Sequence, residues 1–207
     1  MASFLSVWVS TFGVIFASID PFGYVPIFLT MTAKDTEEQR RRMLKKACLT
    51  AFVVLTGSAF LGNAILKFFG ISISALQISG GLILLVIAFE MVKVIPTPEK
   101  ITPFEENEGR EKEDISIIPL AIPMLSGPAS IASVVVLSAR GESLSLYAAI
   151  ILSILLTLAF TYLILRSASK IFRQVGITGL NVMTRIMGLL LSAMAVQFII
   201  NGYLGIK

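Results

Sequence analysis

Ser18-Ile19-Asp20-Pro21-Phe22-Gly23-Tyr24-Val25-Pro26 lies inside an apolar run that extends from Phe4 to Met31. A helix crossing a bilayer keeps its backbone hydrogen bonds within itself, so Pro21, which donates none, and Gly23, which favours unwinding, leave polar groups open there. Such a break is stable only against protein or a water-filled cavity. Asp20 adds an ionisable carboxylate at the same depth, which costs several kcal/mol and marks a functional-site candidate. A second break, Ser126-Gly127-Pro128, places Pro128 107 positions after Pro21.

The surrounding composition fits a membrane. Of 207 residues, 56% are hydrophobic and 14% charged, and the mean hydropathy of +0.87 lies far outside the range of soluble domains. Long apolar stretches, rather than short alternating segments, argue for helices and against an outer-membrane barrel. The first lysine is Lys34, so the basic region that precedes a secretory signal is missing and the first apolar segment is expected to be retained. A single cysteine, Cys48, excludes an intramolecular disulfide. The absence of histidine removes the usual zinc ligand and neutral-pH proton carrier.

Crossing a bilayer takes about 20 residues. The apolar runs then give six predicted spans: Phe4 to Met31, Ala47 to Phe69, Ile71 to Ile95, Ile117 to Ser138, Leu144 to Leu165 and Gly179 to Leu204. The regions joining spans one and two, three and four, and five and six, together with Lys93 and Arg185 at the adjoining span ends, hold 14 of the 17 basic residues. The positive-inside rule puts those three regions in the cytoplasm and both termini outside. Phe4, Trp8, Phe68, Phe69, Tyr147 and Tyr203 then fall near the outer interface as an aromatic belt. The +4 formal charge thus reports topology, and nothing points to a nucleic acid partner.

Residues 96–116 form a charged, proline-bearing cytoplasmic linker between a first three-helix repeat, 1–95, and a second, 117–207. Besides the two prolines, Gly70-Ile71-Ser72 answers Gly176-Ile177-Thr178 at a separation of 106, and Ile78-x-Gly80 answers Ile186-x-Gly188 at 108. Each half has an odd number of spans, so the second enters the membrane from the opposite side. The expected fold is an all-α integral membrane protein of two inverted three-helix repeats, with spans one and four broken. Many secondary transporters are built this way and bind substrate and coupling ion near the midplane.

Unwinding exposes amides at the start of one half-helix, which favour an anion, and carbonyls at the end of another, which favour a cation. A zwitterion needs both. The candidate substrate-binding residues are therefore Ser18, Asp20, Pro21, Gly23, Ser126, Gly127, Pro128 and Ser130, with small side chains that leave little room for a large solute. Asp20 could hold an ammonium group, bind a coupling cation or carry a proton; it could also simply cap the second half-helix. Asn181 and Arg185, four apart on the sixth span, could reach a carboxylate, or Arg185 could snorkel to the interface. Glu90, with Lys93 one turn on, could pair at the interface or relay protons, and Gln77 could line a pathway or bond two helices. Gly57, Gly62, Gly80, Gly81 and Gly188 are read as close helix-packing positions.

No Ser-His or Cys-His pair, no HExxH zinc helix and no G-x-x-x-x-G-K-S/T phosphate loop is present. No enzyme activity, metal or cofactor is expected; a proton or sodium gradient would drive any active transport.

These residues carry a family resemblance. I-D-P-F-G-Y-V-P-I-F (Ile19 to Phe28), I-S-G-G-L-I-L-L (Ile78 to Leu85), I-P-L-A-I-P-M-L-S-G-P-A-S-I (Ile118 to Ile131) and N-V-M-T-R-I-M-G-L (Asn181 to Leu189) resemble the MarC/UPF0056 group, also called the neutral amino acid transporter family. The resemblance implies a six-span protein of a prokaryotic cytoplasmic membrane and, from one archaeal relative, transport of small neutral amino acids such as glycine and alanine. The expected partners are thus such an amino acid and the lipid bilayer, with homo-oligomerisation left open. Competing readings are an exporter of amino acids or drug-like compounds and a non-transporting membrane scaffold that binds through its linker.

Overall fold

The computed structural model describes residues 4–93, 116–139, 141 and 143–206, and among these every regular element is helical. In chain order they are α1 (Phe4–Ile19), α2 (Tyr24–Met31), α3 (Glu37–Phe68), α4 (Ile73–Lys93), α5 (Ser116–Leu125), α6 (Pro128–Ser138), α7 (Leu144–Arg166) and α8 (Ala168–Leu204). Four helices, α3, α4, α7 and α8, are each long and apolar enough to cross a bilayer. The pairs α1 with α2 and α5 with α6 qualify as spans together, bent by 46° and 54° at their breaks. The first and fourth predicted spans are thus the broken ones. The expected linker, 96–116, lies outside the described residues apart from Ser116.

Apolar side chains cover the outside as well as the core. Phe60, Leu82, Val86, Leu155, Leu163 and Leu189 are all exposed on the long helices. A soluble monomer does not display apolar surface on this scale, whereas a bilayer solvates it.

Two helices start earlier than hydropathy suggests. α3 begins at Glu37 rather than Ala47, because Thr36 and Gln39 form a reciprocal capping box that carries the helix through its basic turns. α8 begins at Ala168 and bends at Gly176, whose φ of 66° interrupts regular helix. α5 is irregular: Ile118 and Ile122 precede Pro119 and Pro123 and are held extended, as residues before proline are.

Some boundaries recur at the same offset as the sequence matches, although α7 ends at Arg166, short of the position that answers the end of α3. Shifted by the 107 positions between Pro21 and Pro128, Glu37 at the start of α3 falls on Leu144 at the start of α7. Gly70, between α3 and α4, and Gly176, before the apolar length of α8, have φ of 68° and 66°, which glycine adopts without steric cost. The most extensive helix pairing is between α4 and α8. A Cβ on Gly81 would meet the Ala195 carbonyl at 2.7 Å, and one on Gly188 would meet the Ala88 carbonyl at 2.9 Å, so glycine lets these backbones touch.

Candidate functional site

α1 ends where Asp20 takes φ 46°, a left-handed conformation uncommon outside glycine, and its amide still bonds the Phe16 carbonyl at 3.0 Å. Past Asp20 the chain turns through Pro21, Phe22 and Gly23 before α2. The Gly23 amide donates to Asp20 Oδ1 at 3.3 Å, so the carboxylate meets the opening turn of α2. Asp20 is 0% exposed. Ile19, Pro21 and Tyr24 are buried around it, and Gly23 is partly so.

At the second break the Ser126 amide and hydroxyl both donate to the Ala121 carbonyl, at 2.9 and 2.8 Å. Gly127 is extended (φ −75°, ψ 176°) and opens α6, with Pro128 in the first turn where a missing amide costs nothing. A Cβ at Gly127 would run into the Pro123 carbonyl. The space beside Gly127 therefore holds backbone, not only room for a solute. Ser126, Gly127 and Ser130 are buried, whereas Pro128 is exposed.

A hydroxyl pair joins the two broken spans. Ser18 Oγ lies 2.7 Å from Ser133 Oγ and 2.7 Å from the Val14 carbonyl. Ser18 has one hydroxyl proton; with it on Val14, Ser133 donates across the interface. Ser133, on α6 and 0% exposed, was not among the sequence candidates. Thr11 and Thr157, also buried, have hydroxyls without a protein partner on α1 and α7, two helices that pack together. Beside them Phe12 and Phe16 of α1 meet Phe160 of α7, with ring centroids 6.1 and 6.4 Å apart. A lone serine or threonine in an apolar span gives no periodic signal, which is why these escaped the sequence reading.

The secondary candidates lie elsewhere. α4 and α8 run antiparallel, with Ala88 beside Gly188 and Ser74 beside Gly205, so Arg185 sits level with the end of α4. Arg185 is exposed there, the snorkelling position, while the inward face of α8 carries Leu180, Thr184 and Gly188. Asn181, one position off that face, is half-buried. Gln77 packs against Gly202 near the far end of α8, as a helix-joining residue does. Glu90 is half-buried near the end of α4, with Lys93 exposed beyond it.

A family profile described as MarC family integral membrane protein matches residues 5–207. The chain belongs to the MarC family. It is 40% identical over 201 residues to a UPF0056 membrane protein of Methanocaldococcus jannaschii, covering 97% of this chain and 98% of that one. It is 36% identical over 192 residues to the UPF0056 membrane protein YhcE of Escherichia coli, covering 93% and 89%. It is 37% identical over 192 residues to YvbG of Bacillus subtilis, covering 92% and 91%. No solved structure matches. The MarC chain is thus an integral, multi-pass membrane protein, with relatives in bacteria and archaea.

Proposed function

We propose that this MarC protein is a secondary transporter of small neutral amino acids, glycine and alanine above all, driven by a proton or sodium gradient. The observation that carries the reading is the pair of broken spans joined at Ser18 and Ser133, with the Asp20 carboxylate wholly buried beside one break. An ionisable group at that depth, where a helix has been opened, is the pattern of a midplane ion or ammonium site. In this reading Asp20 binds the ammonium group or the coupling cation. The first-turn amides of α6 meet the carboxylate, and two related halves exchange which side is open. The positive-inside bias sets the basic loops in the cytoplasm.

Full burial of Asp20 then corresponds to an occluded state. The same burial, with Oδ1 accepting from Gly23, favours a second reading, a non-transporting scaffold in which Asp20 only caps a bend. Purified protein in liposomes separates them. The transporter takes up radiolabelled glycine or alanine faster than protein-free vesicles and accelerates under an imposed proton or sodium gradient. Uptake equal to protein-free vesicles under every gradient contradicts it.

A further inference from the structure

A cavity of about 590 Å³ opens on the basic face of the molecule, between the α2–α3 corner and the α7–α8 junction. Five cations line it: Arg40, Arg41, Arg166, Lys170 and Arg173. Its two carboxylates are Glu37 and Glu38, and Glu38 lies 3.9 Å from Arg42, so it already faces a cation of its own. Arg40 is fixed by donating to the Thr32 carbonyl through Nε at 3.0 Å and through Nη2, and Arg173 Nε donates to the Ser169 carbonyl at 3.3 Å. Ser167, at the start of α8, lines the cavity and makes no side-chain capping bond. Phe28 and Leu44 lie buried beneath these charges, and Leu163 is exposed beside them on the outer surface of α7.

We propose that this cavity binds the phosphate headgroup of an anionic phospholipid. Five cations from three helices converge where two carboxylates are present, so like-charge repulsion is relieved by an anion. Guanidinium groups match phosphate oxygens in a bidentate way. The apolar surface beside the charges selects among phosphate sources. A free phosphate ion gains nothing from the exposed Leu163, whereas a lipid lays its glycerol and upper acyl carbons against it. The cavity lies at the interfacial end of α7, where such a molecule enters from the surrounding leaflet. The site is separate from the Asp20 break, so the lipid tethers the two helix junctions rather than serving as cargo.

Native mass spectrometry of the full-length protein in neutral detergent tests this, with dioctanoyl phosphatidylglycerol, dioctanoyl phosphatidylcholine and inorganic phosphate as probes. Phosphatidylglycerol should bind saturably and phosphatidylcholine should not. The double variant Arg166→Gln/Lys170→Gln should weaken phosphatidylglycerol by about 25-fold, about fivefold per charge removed. Arg166→Lys/Lys170→Arg should retain binding. Lys45→Gln, which removes an exposed charge outside the cavity, should leave it unchanged. Arg166 and Lys170 are exposed, and a size-exclusion profile matching wild type confirms a folded double variant. Equal affinity for phosphatidylcholine, an equal loss with Lys45→Gln, or no loss in the double variant overturns the site. Phosphate binding as tightly as phosphatidylglycerol overturns the lipid assignment.

Discussion

The two broken spans bend by similar amounts, 46° and 54°, through different chemistry. The first uses a carboxylate residue in the left-handed region followed by a proline; the second uses a serine tied to the Ala121 carbonyl, an extended glycine and a first-turn proline. The larger bend contains no ionisable group. A charge is therefore not needed to open a helix in this fold, and the cost of burying Asp20 has to be offset by something other than the bend. The bent architecture belongs to both breaks, and the ionisable group to one.

Substitutions can break or sharpen that contrast. Gly127→Ala should have the largest effect on stability, about 3 kcal/mol, because the new Cβ meets the Pro123 carbonyl in a packed backbone. Thermal unfolding in detergent would show it, and an unchanged midpoint would mean that α5 yields easily. Gly70→Ala and Gly176→Ala should each cost about 1–2 kcal/mol from positive φ alone, since neither Cβ meets a neighbour within 4 Å. Matching losses would support equivalence of the halves; clearly unequal ones would weaken it. Smallest should be the Ser18–Ser133 link: a double-mutant cycle with Ser18→Ala and Ser133→Ala should give a coupling of about 0.6 kcal/mol. Additive effects would show that the hydroxyls do not cooperate.

Much of this was legible in the sequence because bilayers impose strict rules. Apolar length located the spans, and Pro21, Gly23, Gly127 and Pro128 located both breaks. The close-packing reading holds at Gly62, Gly80, Gly81 and Gly188, where a Cβ would meet a neighbouring helix, but not at Gly57, where it meets nothing within 4 Å. The early start of α3 was written in Thr36 and Gln39, a capping box that hydropathy ignores. Ser133 and the basic cavity were not legible. Each depends on which faces of distant helices meet, and that is settled by packing rather than by a local pattern. Arg185 illustrates the same limit: its spacing from Asn181 was visible, but its exposure depends on the rotation of α8 against α4.

The most direct test of the contrast is Asp20→Asn, measured for thermal stability in detergent and for gradient-driven glycine and alanine flux in liposomes. The asparagine oxygen still accepts from the Gly23 amide, so the bend and the unfolding midpoint should be retained. Flux should fall at least about tenfold, the equivalent of about 1.4 kcal/mol. Wild-type, gradient-sensitive flux in that variant would contradict a coupling role for Asp20, because the ionisable group would then have no part in transport.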